Sequence, residues 1–235
     1  MLDKLCKSLA TILGIDSAPT TPQRPKLLTI RDGDFYRDYQ NGRRDFRNLI
    51  FENVDLREIN LCGIDFRKSD LRMVELHNGV QLQGADLSGV MLSGMNLRGL
   101  DLSNANLYEA VLVGTDLRGA NLNGANLSKA NLSYVNFYHA FLVGAELPDS
   151  QLYAADLSKA DLKGVNLSRA NLSRANLTWA DLSYTNLGEA DLTMANLSYA
   201  DLEGSNPELA HTLFTTLTGV RLPENVFIGR GRGKT

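Results

Sequence analysis

The sequence predicts a solenoid, because one five-residue pattern recurs twenty-five times without a gap between Val80 and Gly204. Twenty-four of the central residues, every fifth residue from Leu82 to Leu202, are Leu, and the other is Phe137. Ala lies two residues before the centre in sixteen repeats, and Asp or Asn lies one residue before it in nineteen. A period of five fits neither a helix nor a strand. A fixed period over many copies is typical of a solenoid.

The consensus Ala-(Asp/Asn)-Leu-X-X resembles the repeat of the pentapeptide repeat family. The copies that carry the resemblance include ADLSG at 85–89, ANLSK at 125–129, ANLSR at 170–174 and ADLTM at 190–194. The resemblance implies an all-β solenoid, a right-handed quadrilateral β-helix with one repeat per side and four repeats per coil. Dense repeats of this kind are similar to those of cyanobacteria and plastids.

Each residue type suits its place in such a coil. The central Leu would point to the axis, and Ala would fill the narrow space beside it, where a larger side chain would overpack the core. Asp and Asn tolerate turn geometry and point outward. Gly suits a corner with positive φ, and it ends many repeats: Gly84, Gly89, Gly94, Gly99, Gly119, Gly124, Gly144 and Gly164. A filled axis leaves the faces, the ends and the appendages for function.

The first 26 residues are predicted to be an appendage. Residues 2–13 place their apolar side chains at helical spacing, which predicts a short amphipathic helix. Residues 16–26 contain Pro19, Pro22 and Pro25 and predict an extended linker that reaches roughly 34 Å. The helix would fold back on the stack or remain disordered, or it would dock on a partner or a membrane surface.

Residues 27–43 are predicted to cap the solenoid with a short helix from about Asp34 to Gln40, with Gly42 near its end. A cap would shield the unpaired backbone and core of the first coil. A degenerate form of the repeat follows, with centres at Phe46, Phe51, Leu56, Leu61, Phe66, Leu71 and Leu76. The next spacing, from Leu76 to Leu82, is six residues, which predicts a one-residue insertion near Gly79.

The repeat region is therefore predicted to span residues 44–204. Its two blocks contain 7 and 25 repeats, which make 32 repeats or 8 coils. A coil spacing of about 4.8 Å gives a rod of roughly 38 Å. Residues 205–235 predict an irregular terminating coil and a basic tail. Its apolar residues would cap the end or form a homodimer contact: Leu209, Leu213, Phe214, Val226, Phe227 and Ile228.

The sequence predicts no enzyme, no cofactor and no metal site. Cys6 and Cys62 have no paired spacing, which favours a reducing compartment, the cytoplasm. His77, His139 and His211 are far apart, and four-repeat stacking brings none of them to a nucleophile or a carboxylate in triad geometry. No apolar run approaches the ~20 residues of a membrane span.

A protein-interaction scaffold is the function that this pattern favours, with an unknown protein as the partner. The resemblance implies an alternative, since some members of the family imitate duplex DNA and inhibit topoisomerases. Duplex DNA has one charge per ~1.7 Å, so ~30 Å of rod would need roughly 18 negative charges. Residues 80–204 contain 13 acidic and 7 basic residues, which argues against mimicry. No nucleic-acid partner is expected. A second alternative is a spacer that residues 2–13 tether to a membrane.

The outward aromatic residues predict where the partner binds. With four repeats per coil, one face contains the repeats that start at 90, 110, 130, 150, 170 and 190, and the next contains those that start at 95, 115, 135, 155, 175 and 195. Tyr, Trp, Met and Arg are enriched where interfaces concentrate binding energy. The alternative is that exposed aromatic rings merely cover neighbouring rungs. The candidate residues are Tyr134, Tyr153, Arg174 and Met194 on the first face and Tyr138, His139, Trp179 and Tyr199 on the second.

Overall fold

The computed structural model describes residues 27–76 and 79–223 of the chain. The predicted amphipathic helix at 2–13 and the linker at 16–26 lie outside the described residues, as do His77, Val226, Phe227 and Ile228. The regular elements are strand β1 (Leu28–Arg31), helix α1 (Asp32–Gln40), strand β2 (Leu49–Glu52) and a 3-10 helix (Pro207–Leu209).

Strand β1 and helix α1 together cover the start of the stack. β1 pairs in parallel with β2, with Leu28 opposite Leu49. The sequence did not predict this strand. α1 begins at Asp32, two residues earlier than predicted, directly after β1. Asp32 and Asp34 lie in its first turn, where the helix dipole favours acidic side chains, and the Asp32 carboxylate accepts the Asp55 N–H at 3.1 Å.

The aromatic centres of the first coils pack beneath α1. The buried Phe35 ring of α1 lies 4.9 Å from Phe46 and 5.8 Å from Phe51, measured between ring centroids. Phe66 continues the cluster one coil later, 5.2 Å from Phe51. The Tyr36 hydroxyl donates to the Asp55 carbonyl at 2.6 Å, which ties the helix to the coil. The large Phe centres therefore fill the space between the coils and their cap.

The coils are joined by parallel bridges between residues twenty apart, such as Asn121 with Phe141 and Phe141 with Asp161. The Leu87 N–H donates to Asn106 O at 2.7 Å, and the Asn106 N–H donates back to Ala85 O at 2.9 Å. Each side is thus a short ladder of isolated bridges. Across the insertion the bridges join residues twenty-one apart and continue three of the four columns, through Asn60 with Gln81, Asp65 with Asp86 and Asp70 with Met91. Gly79, at the insertion, has a φ of 115°.

Each repeat ends in a tight turn around the corner. The Ala85 N–H donates to Leu82 O at 3.1 Å, and Gly84 between them has a φ of 64°. A positive φ at this position is what a type II turn requires. Twenty non-glycine residues of the described ranges also have positive φ, among them Ala154 at 53°. The corner therefore imposes this backbone even where the sequence supplies no Gly.

The Asp or Asn of each repeat stabilises the turn that follows it. Its side-chain oxygen accepts the N–H two residues on, as Asp86 does from Ser88 at 3.1 Å. The Ser hydroxyl of an Asn-Leu-Ser triplet also donates to this oxygen, as Ser128 does to Asn126 at 2.5 Å. Asn amides further link successive coils, since Asn126 Nδ2 donates to Asn106 Oδ1 at 3.2 Å.

The last coil is irregular but stays in register. The 3-10 helix Pro207–Leu209 replaces one side, and the bridges then resume with Asp191 to His211 and continue to Asp201 with Arg221. Leu217 and Val220 are only partly buried against the core. The C-terminal end of the described stack is thus more open than its N-terminal end.

The corners allow a matched test of backbone strain. A left-handed backbone costs a residue with a Cβ about 1–2 kcal/mol, and Gly loses roughly 0.5–1 kcal/mol of entropy on folding. A Cβ at Gly144 (φ 66°) would meet no atom within 4 Å, so only strain is added there. We expect Gly144→Ala to lower the free energy of unfolding and Ala154→Gly to raise it, each by under about 1 kcal/mol. Thermal unfolding measures both, and equal shifts of the same sign would contradict this account of the corners.

Candidate interaction surface

The bridges sort the outward residues into four faces. Residues twenty apart are vertical neighbours, so the repeats that start at 90, 110, 130, 150, 170 and 190 form one side of the stack, the first face. The second face contains the repeats that start at 95, 115, 135, 155, 175 and 195. The repeats that start at 100 and 105, with those at twenty-residue steps from them, define the third and fourth faces.

On the first face two Tyr rings touch across successive coils. Tyr134 and Tyr153 meet edge to face, with ring centroids 5.5 Å apart. Tyr134 is exposed and Tyr153 is half-buried. Arg174 and Met194 are exposed further along the same face, and neither makes a ring contact with this Tyr pair. Of the four residues predicted on this face, Tyr134 and Tyr153 are therefore in direct contact, and Arg174 and Met194 lie apart from them on the same face.

The second face holds two aromatic pairs. Tyr138 and His139 meet edge to face at 4.5 Å, and Lys159 Nζ donates to the Tyr138 hydroxyl at 3.4 Å. Trp179 and Tyr199 stack nearly parallel, at 13° and 4.5 Å between centroids, although 59% of the Trp and 48% of the Tyr remain exposed. Stacked rings of this kind present a flat, rigid apolar surface.

The exposed apolar surface extends beyond the predicted residues. Phe141 and Val143 follow His139 on the same coil and are 49% and 39% exposed on the third face. The sequence held a signal for this, because Phe141 occupies the position where nineteen of twenty-five repeats have Asp or Asn. Leu213 lies one coil after Met194 on the first face, since the Met194 N–H donates to Leu213 O at 2.8 Å.

The large side chains at the corners all have positive φ. The values are 59° for Tyr134, 56° for His139, 62° for Trp179, 60° for Met194 and 61° for Tyr199. Strain of this kind is often associated with functional sites. Here the same strain occurs at corners without aromatic residues, so it is a property of the fold and does not single out a site.

The Trp179–Tyr199 stack depends on a small residue in the next coil. A Cβ added at Gly219 would lie 2.6 Å from Tyr199 Cδ1. The Tyr199 ring therefore rests directly against the Gly219 backbone, with Trp179 on the coil before it. Tyr184 rests on Gly204 in the same way, also at 2.6 Å.

Charge separates the four faces into two halves. Between residues 80 and 204 the third and fourth faces contain ten acidic and three basic residues, whereas the first and second contain three acidic and four basic. The Arg118 guanidinium on the second face lowers the pKa of the Asp116 carboxyl that it binds. On the fourth face Arg169 binds Asp149 at 2.7 and 2.8 Å and lowers the pKa of that carboxyl. We call the first and second faces together the aromatic half, and the third and fourth faces together the acidic half.

The open C-terminal coil exposes further apolar side chains. Leu209 is 69%, Leu213 62% and Phe214 74% exposed. The other three residues of the predicted cap or dimer contact lie outside the described residues. The described structure contains one chain only, so the predicted homodimer stays a prediction.

Within the described ranges no group of three or more His, Cys, Asp and Glu side chains could hold a metal ion. His139 and His211 lie on different faces. His139 is at a corner of the second face, and His211 is in the last repeat of the first face. The described surface depressions are shallow and lie beside Met73 and Glu75, away from both histidines. No helix of this part of the chain is both long and apolar enough to cross a membrane.

Comparison with protein families gives one match. A family described as Pentapeptide repeats matches in eight copies, over residues 45–78, 78–112, 110–147, 130–169 and 170–206. These segments cover the coils and most of the exposed aromatic residues. A comparison with curated proteins yields no match.

Several solved structures are similar to this chain. HetL, a pentapeptide repeat protein involved in heterocyst differentiation regulation in the cyanobacterium Nostoc sp. strain PCC 7120, is 30% identical over 84% of this chain and 99% of its own (TM-score 0.46). Rfr23 from the cyanobacterium Cyanothece 51142 is 32% identical over 57% and 88% (TM-score 0.30). QnrB1, a plasmid-mediated fluoroquinolone resistance protein, is 22% identical over 77% and 82%, and its TM-score of 0.50 supports a shared fold.

The glycine beneath the aromatic stack allows a specific test. We expect Gly219→Ala to displace the Tyr199 ring and change the fluorescence of Trp179, the chain's one tryptophan. Gly144→Ala is the matched control, because it adds the same backbone strain at a corner where the new Cβ meets nothing within 4 Å. An emission spectrum that is identical in both variants and the parent would show that the ring does not rest on Gly219.

Proposed function

Because the chain belongs to the pentapeptide repeat family, whose members are generally non-enzymatic scaffolds, we propose that it is an interaction scaffold whose protein partner binds the aromatic half. Members of the family fold as right-handed quadrilateral β-helices. A rod of about eight such coils would present its faces as long, flat and rigid surfaces. We place the protein in the cytoplasm as part of the same proposal.

One observation carries the proposal. The exposed rings of the Trp179–Tyr199 stack remain in solvent at corners where the fold itself favours Gly. Large apolar side chains on a solvated surface gain little for the free protein, but they supply much of the binding energy at an interface. Because stacking already orders these rings, a partner would bind them at a lower entropic cost.

The composition and charge of the aromatic half suit the binding of a protein surface. Its outward residues include Tyr, Trp, Met and Arg, the types that are enriched at protein interfaces. With three acidic and four basic residues it is close to neutral. A partner would therefore face little electrostatic repulsion along this side of the rod.

The acidic half supports a competing candidate, the mimicry of duplex DNA. Its ten acidic residues are offset by three basic ones, whereas ~30 Å of duplex carries roughly 18 charges. The similarity to QnrB1 is of fold alone at 22% identity. The charge density therefore favours the scaffold. A membrane tether through residues 2–13 is a further candidate, and it concerns a segment outside the described residues.

The partner surface is tested by removing its rings. We expect the triple variant Tyr138→Ser, Trp179→Ser and Tyr199→Ser to keep its melting temperature within a few degrees and to lose the partner captured from native extract. The matched control is Tyr108→Ser, Phe141→Ser and Tyr184→Ser, which removes three aromatic rings from the acidic half. Mass spectrometry of the captured proteins measures the difference. Full retention of the same partner by the first variant would reject this surface.

We also propose that the open C-terminal coil forms the contact of a homodimer. Its exposed apolar side chains are of the type that a symmetric interface buries. We expect a dimer to become a monomer in the variant Leu209→Ser, Leu213→Ser and Phe214→Ser. Sedimentation velocity measures the mass, and a parent protein that is already monomeric at tens of micromolar would dismiss the dimer.

A further inference from the structure

Cations of this chain repeatedly lie over its aromatic rings. Lys129 Nζ lies 5.4 Å from the Tyr108 ring centroid, and Lys163 Nζ lies 5.8 Å from that of Tyr184. Lys159 lies over Tyr138 at 5.5 Å. At the N-terminal end Arg43 covers Phe46 at 4.7 Å and Arg44 covers Tyr39 at 4.0 Å. A cation over a ring face thus recurs along the solenoid, over the buried Phe46, the partly buried Tyr39, Tyr108 and Tyr138, and the exposed Tyr184.

The Trp179–Tyr199 stack departs from this pattern. Among the described residues no Lys or Arg lies over either ring, although Trp is the ring that binds cations best. Lys159 lies one coil earlier in the same column, but its Nζ is directed to Tyr138. The Tyr199 ring already rests on Gly219, so Trp179 has the more open ring, with 59% of the residue exposed.

A column of carboxylates begins the third face directly beyond this corner. Asp161, Asp181 and Asp201 stack by parallel bridges, each two residues after a member of the corner column. Asp161 and Asp181 each accept one backbone N–H, at 3.2 and 2.9 Å. Within the described residues neither carboxylate forms an ion pair with Lys or Arg. Two unneutralised carboxylates therefore lie beside an uncovered ring pair.

The chain itself shows how this column binds a guanidinium. Arg221 lies one coil after Asp201, and its two terminal nitrogens bind Asp201 at 2.9 Å and Glu203 at 2.6 Å. These contacts raise the pKa of Arg221, first through the hydrogen bond to Asp201. The planar guanidinium fork suits carboxylates and also stacks on aromatic faces, which the ammonium of Lys does less well.

We propose that the corner formed by Trp179, Tyr199, Asp161 and Asp181 binds an arginine side chain of the protein partner. The guanidinium stacks on the indole and donates to the carboxylates beyond the corner. The inference rests on the proposed function and adds the chemistry of the segment that the partner presents. It places this contact where the aromatic half meets the acidic half.

The test uses the full chain and a defined probe, the acetylated and amidated peptide Gly-Arg-Gly-Arg-Gly. Trp179 is the one tryptophan, so its fluorescence reports binding at the corner itself. We expect a saturable change at low salt that the peptide with Gln in place of Arg does not produce. The double variant Asp161→Asn and Asp181→Asn should weaken the binding about tenfold. The control Glu109→Gln and Glu189→Gln removes two charges from the fourth face and should leave the binding unchanged.

Four results would overturn the proposal. One is the absence of a saturable change, and another is equal weakening by both double variants, which would indicate attraction by net charge alone. The third concerns the chain's own Arg230, Arg232 and Lys234, which lie outside the described residues. Peptide binding that occurs only after these three are changed to Gln would make them the occupant of the corner. If the Asp double variant still captures the partner that the aromatic triple variant loses, the arginine assignment fails while the scaffold function stands.

Discussion

The backbone hydrogen bonds between successive coils are the interaction on which the rest of this structure depends. Most central Leu residues after the insertion donate their N–H to a carbonyl nineteen residues ahead, as Leu87 does to Asn106, and the next coil donates back. Because these bonds recur at every side, residues twenty apart are fixed as vertical neighbours. The dry Leu columns, the Asn ladders and the aromatic stacks all follow from that spacing. The extra residue near Gly79 changes this spacing to twenty-one, and three of the four columns of bridges continue across it.

At the corners, the stability of the backbone competes with the display of large side chains on the surface. The turn favours positive φ two residues after the central residue of a repeat, and twenty non-glycine residues of the described ranges adopt it. The hydrogen bonds that flank each corner determine this backbone more strongly than the local preference of the residue does. The fold can therefore display Trp, Tyr or Met at a corner with a modest loss of stability. This tolerance makes the outer surface variable while the axis remains uniform.

Function in such a molecule is a matter of which side chains are arranged on which face. The described core is filled mainly by Leu and Ala, so the chemistry lies in side chains that project outward. Between residues 80 and 204 most of the outward aromatic residues lie on one half of the rod and most of the acidic residues on the other, and the two halves meet at the corner that Trp179 occupies. A rigid rod with two chemically distinct sides suits a scaffold, because a partner can be held in a defined orientation along it.

The sequence by itself determined the solenoid, the register and the positions that face the axis, because a strict period with Leu at every centre is compatible with few other arrangements. It also placed Gly at the turns, and all eight predicted corner glycines have positive φ. Tertiary structure decided what a period cannot encode. β1 forms because the edge of the first coil pairs with Leu28–Arg31, a segment outside the repeat. The stacking of Trp179 on Tyr199, the exposure of Phe141 and Val143, and the direction of Lys159 toward Tyr138 depend on side-chain packing between coils. These contacts form between residues about twenty apart in the chain. Local sequence shows which side chains are present, but only the stacking of the coils determines which of them touch.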